Sequence, residues 1–241
     1  MTDVHDPTLG DLVAANPAAA RVLEQFGLDY CCRGGRTLAE ACAAAGIDAT
    51  VVASELDDLD VGGDTTWTTL DAPALADHIV DSHHRYLHEE LPLLEALAAK
   101  VRSVHGERHP ELADVARLFR ALRADLEPHL LKEERVLFPA IHALAGGETE
   151  FPFGPVANPI HMMSLEHDRA GELLAELRAA TDGYAVPDDG CASYRSLYQR
   201  LEALELDTHL HVHKENHVLF PAALRLADRR RAAADGAHAP T

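Results

Sequence analysis

His129-Leu-Leu-Lys-Glu133-Glu-Arg-Val-Leu-Phe-Pro139-Ala140 recurs later in the chain as His211-Val-His-Lys-Glu215-Asn-His-Val-Leu-Phe-Pro221-Ala222. A spacing of four places histidine and glutamate on one face of a helix, and the flanking residues identify that face. In the first copy the apolar stripe runs Val115, Leu118, Leu122, Leu126, His129, Glu133, Val136, Ala140; in the second it runs Tyr194, Leu197, Leu201, Leu204, Thr208, His211, Glu215, Val218, Ala222. Both pairs therefore point into a core. An ionised carboxylate there costs several kcal/mol unless a cation or strong donors compensate it, and the chain makes this choice twice. Leu-Phe-Pro reads as a recurring helix-end packing motif, which leaves the repeated His and Glu to be explained.

Outward from this repeat, the 3.6-residue periodicity extends over four long segments, 72–104, 111–144, 159–181 and 192–228, with no convincing alternating strand. Gly- and Pro-rich connections, Gly146 to Pro159 and Asp182 to Gly190, suit antiparallel neighbours. The expected fold is all-α, an up-down four-helix bundle. Its first helix carries Val80, His84, Leu87, Leu91 and Leu94 on the apolar stripe, and its third carries Ile160, Met163, His167, Ala170, Leu174 and Leu177. A lone inward histidine is usually a satisfied core residue. Six inward groups at one level, His84, His129, Glu133, His167, His211 and Glu215, point instead to metal. Imidazole and carboxylate ligands suit iron, manganese or zinc, and the symmetry suggests two ions. With both glutamates bridging and two histidines capping each ion, a bridging oxo or hydroxo group would leave an octahedral ion one open position, unlike a closed structural zinc site.

Ahead of the bundle, residues 8–60 carry helix starts at Thr8 with Asp11, at Asn16-Pro17, at Thr37 with Glu40 and at Asp48, and stops at Gly27 and Gly46. This predicts a small helical domain over 1–62, a linker through Gly62-Gly63, the bundle over 70–228 and a disordered tail over 229–241. Cys31 and Cys32 lie in a locally basic turn closed by Arg33-Gly34-Gly35-Arg36. Exposure and arginine would favour thiolate, and a disulfide between adjacent residues is strained, so the pair reads as redox, iron or nitric oxide chemistry. Cys42 reads as core packing and Cys191 as a loop residue. His5, His105, His109 and His238 read as bland, and Pro128 is expected to kink the second helix.

At 241 residues the chain can bury a real core. Its formal charge of -19, from 21 Lys+Arg against 40 Asp+Glu, argues against a nucleic-acid partner. The absence of a long uncharged apolar window argues against a membrane, and the reading is cytoplasmic. Four cysteines are too sparse for a disulfide framework.

Asp29-Tyr-Cys31-Cys32, His84 before Leu91-Pro92, His129-x-x-x-Glu133, Glu166-His167-Asp168 and His211-x-x-x-Glu215-Asn216 together resemble the di-iron iron-sulfur cluster repair (repair-of-iron-centres) proteins, whose bundle is hemerythrin-like. The resemblance covers nearly the whole chain. It implies two iron ions on the six residues named above. It implies action on iron-sulfur proteins with clusters damaged by oxidative or nitrosative stress, with nitric oxide or oxygen as small ligands. Oxygen-carrying hemerythrins resemble the chain less, because their third helix carries two histidines four apart, whereas here Met163 and Gly171 flank His167. An oxygen- or nitric oxide-binding sensor and an oxidase or reductase are the alternatives. His83, His161, His213 and His217 adjoin the ligands as supporting or surface residues, and a homodimer is left open.

Overall fold

The computed structural model describes residues 6–59 and 66–237. No strand occurs among them, only an isolated bridge between Thr8 and Thr37. The expected linker residues Gly62 and Gly63 lie outside the described residues, as do His5 and His238.

Four short helices come first: α1 (Leu9–Ala15), α2 (Ala19–Gln25), α3 (Leu38–Ala45) and α4 (Ala49–Asp57). Thr8 with Asp11 and Thr37 with Glu40 form reciprocal capping boxes, Asp48 caps α4, and Gly46 ends α3 with φ of 69°. Asn16 does not start α2; its side chain accepts from the Ala18 N–H at the turn before it. The helices close over Leu9, Val13, Leu23, Tyr30 and Cys42 and share that core with Val212 of the bundle. They are therefore packed onto the bundle as well as onto each other.

The bundle begins at Asp71, which caps α5 (Ala72–Ile79) through the Ala74 N–H. Its four rods are α5 with α6 (Arg85–His105), α7 (Leu112–Lys132) with α8 (Phe138–Gly146), α9 (Ala157–Ala180), and α10 (Ala192–His213) with α11 (Phe220–Ala237). α6 packs against α7 and α10, and α9 packs against α7.

Three rods change pitch midway, through π turns at Val80–His84, Glu133–Leu137 and Lys214–Leu219. Leu-Phe-Pro is thus not a helix end. In both copies it closes a π turn and the helix continues, because Pro139 and Pro221 lack the N–H that would pull the wide turn tight. The extra residue shifts the apolar stripe by one position: Val136, expected inside, is 40% exposed, while Leu137 and Leu219 are fully buried. Pro128 lies within α7 without interrupting it. The last rod runs past residue 228 to Ala237, with strong helix formers in Arg229-Arg-Arg-Ala-Ala-Ala234; of the tail expected over 229–241, residues 238–241 lie outside the described residues.

Two apolar layers result. One is built by Leu87, Leu91, Phe119, Leu122, Leu174, Leu201 and neighbours, the other by Trp67, Ile79, Leu137, Phe138, Met163, Leu219 and Phe220. Each buried leucine contributes about 1.5–3 kcal/mol. The polar level sits between the layers.

Candidate metal centre

All six expected residues meet there, each at most 3% exposed. Ligand atoms of His84, His211, Glu133 and Glu215 lie within 4.8 Å of one another, and so do those of His129, His167, Glu133 and Glu215. Both carboxylates are common to the two groups. Glu133 turns Oε2 to His84 Nε2 at 3.4 Å and Oε1 to His129 Nε2 at 3.3 Å. Glu215 turns Oε1 to His211 Nε2 at 3.1 Å and Oε2 to His167 Nε2 at 3.0 Å. Within each histidine pair the Nε2 atoms are 3.2 Å apart.

The donor set fits a pair of cations. Both oxygens of Glu133 and Oε2 of Glu215 are buried without a hydrogen bond, so the close approaches are convergent rather than bonded. Facing imidazole nitrogens repel unless a proton or a cation lies between them. Three of the four imidazoles have the far nitrogen fixed: His84 Nδ1 by Glu134 at 3.0 Å, His129 Nδ1 by Glu166 at 2.8 Å and His167 Nδ1 by Asn216 at 2.9 Å. Such bonds set ring orientation and aim Nε2 inward. The fourth, His211, stacks on His83 with centroids 5.3 Å apart, and its Nδ1 has no partner among the described residues.

Electrostatics match. Burial opposes charge on His129, but the Glu133 carboxylate outweighs it and the imidazole is pushed up to about 10. Burial likewise opposes the Glu215 carboxylate, yet His211 and His167 hold it well below the usual range. His129, with Lys132, holds Glu166 down at about 2. Protons and cations thus compete for one place.

The flanking histidines divide. His83 and His213 are buried, His217 is partly buried and His161 is exposed. Lys214, expected by no periodicity argument, is 4% exposed, with Nζ 2.8 Å from His83 and 3.0 Å from His78 and above the Trp67 ring. The π turn at Lys214–Leu219 rotates it inward, and only the turn itself could have signalled this. On the opposite side a cavity of about 220 Å³, lined by His129, His167, His211, Leu126 and Val212 among others, opens beside the level.

Cys31 is buried and Cys32 half-buried, so the turn is not the exposed one expected. Asn216 donates to the Cys31 carbonyl, His217 Nε2 lies 2.9 Å from that oxygen, and Cys32 Sγ is 3.7 Å from the His167 carbonyl. Gly171 leaves room for that sulfur, a Cβ there lying 3.4 Å from it. The expected thiolate is corrected too. The Cys32 thiol, burial and the Asp29 carboxylate push Cys31 well above the ordinary thiol range, and the arginines do not offset them. Asp29, Cys31 and Cys32 form a third group whose ligand atoms converge.

The hemerythrin HHE cation binding domain matches residues 75–223, and a domain of unknown function, ScdA_N, matches residues 5–60. The iron-sulfur cluster repair protein YtfE of Enterobacter sp. (strain 638) is 34% identical over 221 residues, covering 91% of this chain and 97% of that protein. Those of Salmonella schwarzengrund and Citrobacter koseri are 32% and 33% identical over the same span. No helix among the described residues is long and apolar enough to cross a membrane. Both the bundle and the short helices that close over it find their counterparts in these relatives, and the chain belongs to the iron-sulfur cluster repair proteins built on a hemerythrin HHE cation binding domain.

Proposed function

We propose that this protein holds two iron ions and restores iron-sulfur clusters damaged by oxidative or nitrosative stress in cytoplasmic client proteins. The observation that carries the reading is the sharing of Glu133 and Glu215 between two histidine pairs. In it, His84 and His211 would hold one ion and His129 and His167 the other, with Glu133 and Glu215 shared between them. Iron bound there would supply one-electron redox chemistry and bind nitric oxide or oxygen.

The chain's own residues divide the remaining work. Glu134, Glu166 and Asn216 keep three imidazoles in the tautomer that presents Nε2. The two apolar layers exclude water from above and below. Leu126, Ala170 and Val212 give the side cavity apolar walls suited to a diatomic molecule. Asp29, Cys31 and Cys32 provide soft ligands beside His167, where iron as cargo can be received on its way to a client. The cysteines at Gly171 favour repair over simple carriage of oxygen or nitric oxide.

The test is reactivation of a dehydratase whose cluster has been damaged by peroxide, with Mössbauer spectroscopy and elemental analysis on the same sample. The wild-type chain should contain a coupled iron pair and restore activity, and the Glu133→Ala variant should do neither. One zinc per chain, or equal reactivation by the variant, would overturn the proposal.

A further inference from the structure

At the end of the bundle beyond the layer of Leu122 and Leu201, a second cluster of reactive side chains has no part in the metal centre. Cys191 is the residue that starts α10, at the N-cap position. Among the four cysteines it alone is exposed. The Nε2 of His105, the last residue of α6, lies 3.1 Å from its sulfur. His105 is 5% exposed, and its other ring nitrogen has no hydrogen-bond partner among the described residues. A buried imidazole whose Nε2 lies within hydrogen-bond reach of an accessible thiol is the arrangement of a base beside a nucleophile.

The surroundings hold this pair in place. Tyr194 packs edge-on against His105, centroids 5.4 Å apart at 81°, and in the same way against His109. Asp189, two residues before the cysteine, is anchored by His109 Nε2 at 2.8 Å and by Arg108 at 2.8 Å. The loop is thus tied to the end of α6, which keeps the sulfur over the imidazole. The thiol also lies at the open end of a 22-residue helix, where unpaired N–H groups favour an anion. The N–H of Tyr194, then that of Ser193, with Lys100 adding to them, draw Cys191 below the ordinary thiol range.

We infer that Cys191 and His105 form a reactive thiol site, at which hydroperoxides oxidise the cysteine to a sulfenic acid. His105 Nε2 takes the thiol proton. The sulfur then attacks the terminal peroxide oxygen: the S–O bond forms, the O–O bond breaks, and the leaving oxygen takes the proton back from His105 as water or alcohol. Sulfur loses two electrons and the peroxide gains them. The sulfenic acid at an exposed position is open to a low-molecular-weight thiol, with formation of a mixed disulfide and loss of water. This site is independent of iron and of the Cys31–Cys32 pair.

The experiment measures alkylation by iodoacetamide at neutral pH on the full chain, with each cysteine followed by peptide mass spectrometry, and repeats it on the chain unfolded in guanidinium. Cys191 should react about tenfold faster in the native chain than in the unfolded one. Brief peroxide treatment with dimedone should place the adduct on Cys191 before any other cysteine. His105→Gln should lower the native rate about tenfold while the circular dichroism spectrum is retained. If that variant unfolds, the native-to-unfolded ratio in the wild-type chain still decides. A native rate at or below the unfolded rate, or a first adduct on Cys32, would overturn the inference.

Discussion

The sulfur of Cys32 rests 3.7 Å from the carbonyl oxygen of His167. A thiol from the N-terminal helices thus touches the backbone that carries one of the inward imidazoles, and Gly171 makes the space for it. Alanine at 171 would sit in ordinary contact, but a longer side chain would take the sulfur's place. Gly171→Leu is expected to expose Cys32, raise its alkylation rate and cost about 1–3 kcal/mol by overpacking. Thiol titration checks this, and unchanged Cys32 reactivity would show that the sulfur is not held there.

Replacing both Cys31 and Cys32 with alanine should leave the bundle's six inward groups untouched. The expected outcome is an unchanged iron spectrum with loss of dehydratase reactivation. Full reactivation would make the pair incidental, and a lost spectrum would place the cysteines among the ligands.

In the proposed centre, Glu133→Ala or Glu215→Ala would remove a ligand shared by both ions and, at the same time, a buried carboxylate whose charge is costly without a cation. Each variant should lose metal and stay helical. Iron at the wild-type level in both, measured alongside circular dichroism, would rule out bridging.

Metal affinity should fall with pH. His129 is pushed up to about 10 in the metal-free site, so below that pH a cation must displace its proton, at about tenfold in affinity per unit for this one group. Between about pH 8 and about pH 6 the loss should reach about 100-fold by chelator competition. For the metal-free chain the sign is opposite: a raised folded-state value contributes stability that is complete below the unfolded value of about 6.5 and is lost as pH rises through 10. A pH-independent affinity would contradict this account.

Gly34 and His217 fasten the short helices to the bundle. A Cβ on Gly34 would lie 2.1 Å from the Tyr30 carbonyl oxygen and 2.6 Å from His217 Nε2. Gly34→Ala should therefore destabilise the chain by about 1–3 kcal/mol and loosen the Cys31 turn, as urea unfolding and thiol exposure would report.

The bundle and its six inward residues were legible because a buried charge on an apolar stripe is anomalous at any resolution of the periodicity. The capping boxes at Thr8 and Thr37 are legible for a different, local reason, a threonine with an acidic residue three positions on. Periodicity of 3.6 residues cannot show where the period itself changes, which is why Val136 falls on the expected stripe and lies outside it in the structure, and why Lys214 carries no inward signal. The environment of Cys31 is not legible because neighbouring arginines are visible in sequence, whereas the covering surface of α9 and the π turn after His213 is not. His105 and Cys191, distant in sequence, gave no joint signal.

A π turn is a helix carrying one residue more than its ladder needs. Deleting a single residue between Glu133 and Pro139, or between Glu215 and Pro221, would let the ladder close regularly at about 3.6 residues per turn and draw Leu137-Phe138 or Leu219-Phe220 one position closer to the preceding histidine–glutamate pair. All six inward residues would still be spelled out in the chain, yet the wide turn after Glu133 or Glu215 would be gone, and with the second of them the inward place of Lys214. The turns should therefore tolerate a changed letter far better than a missing one, which makes the count of residues itself part of the inherited instruction for the centre.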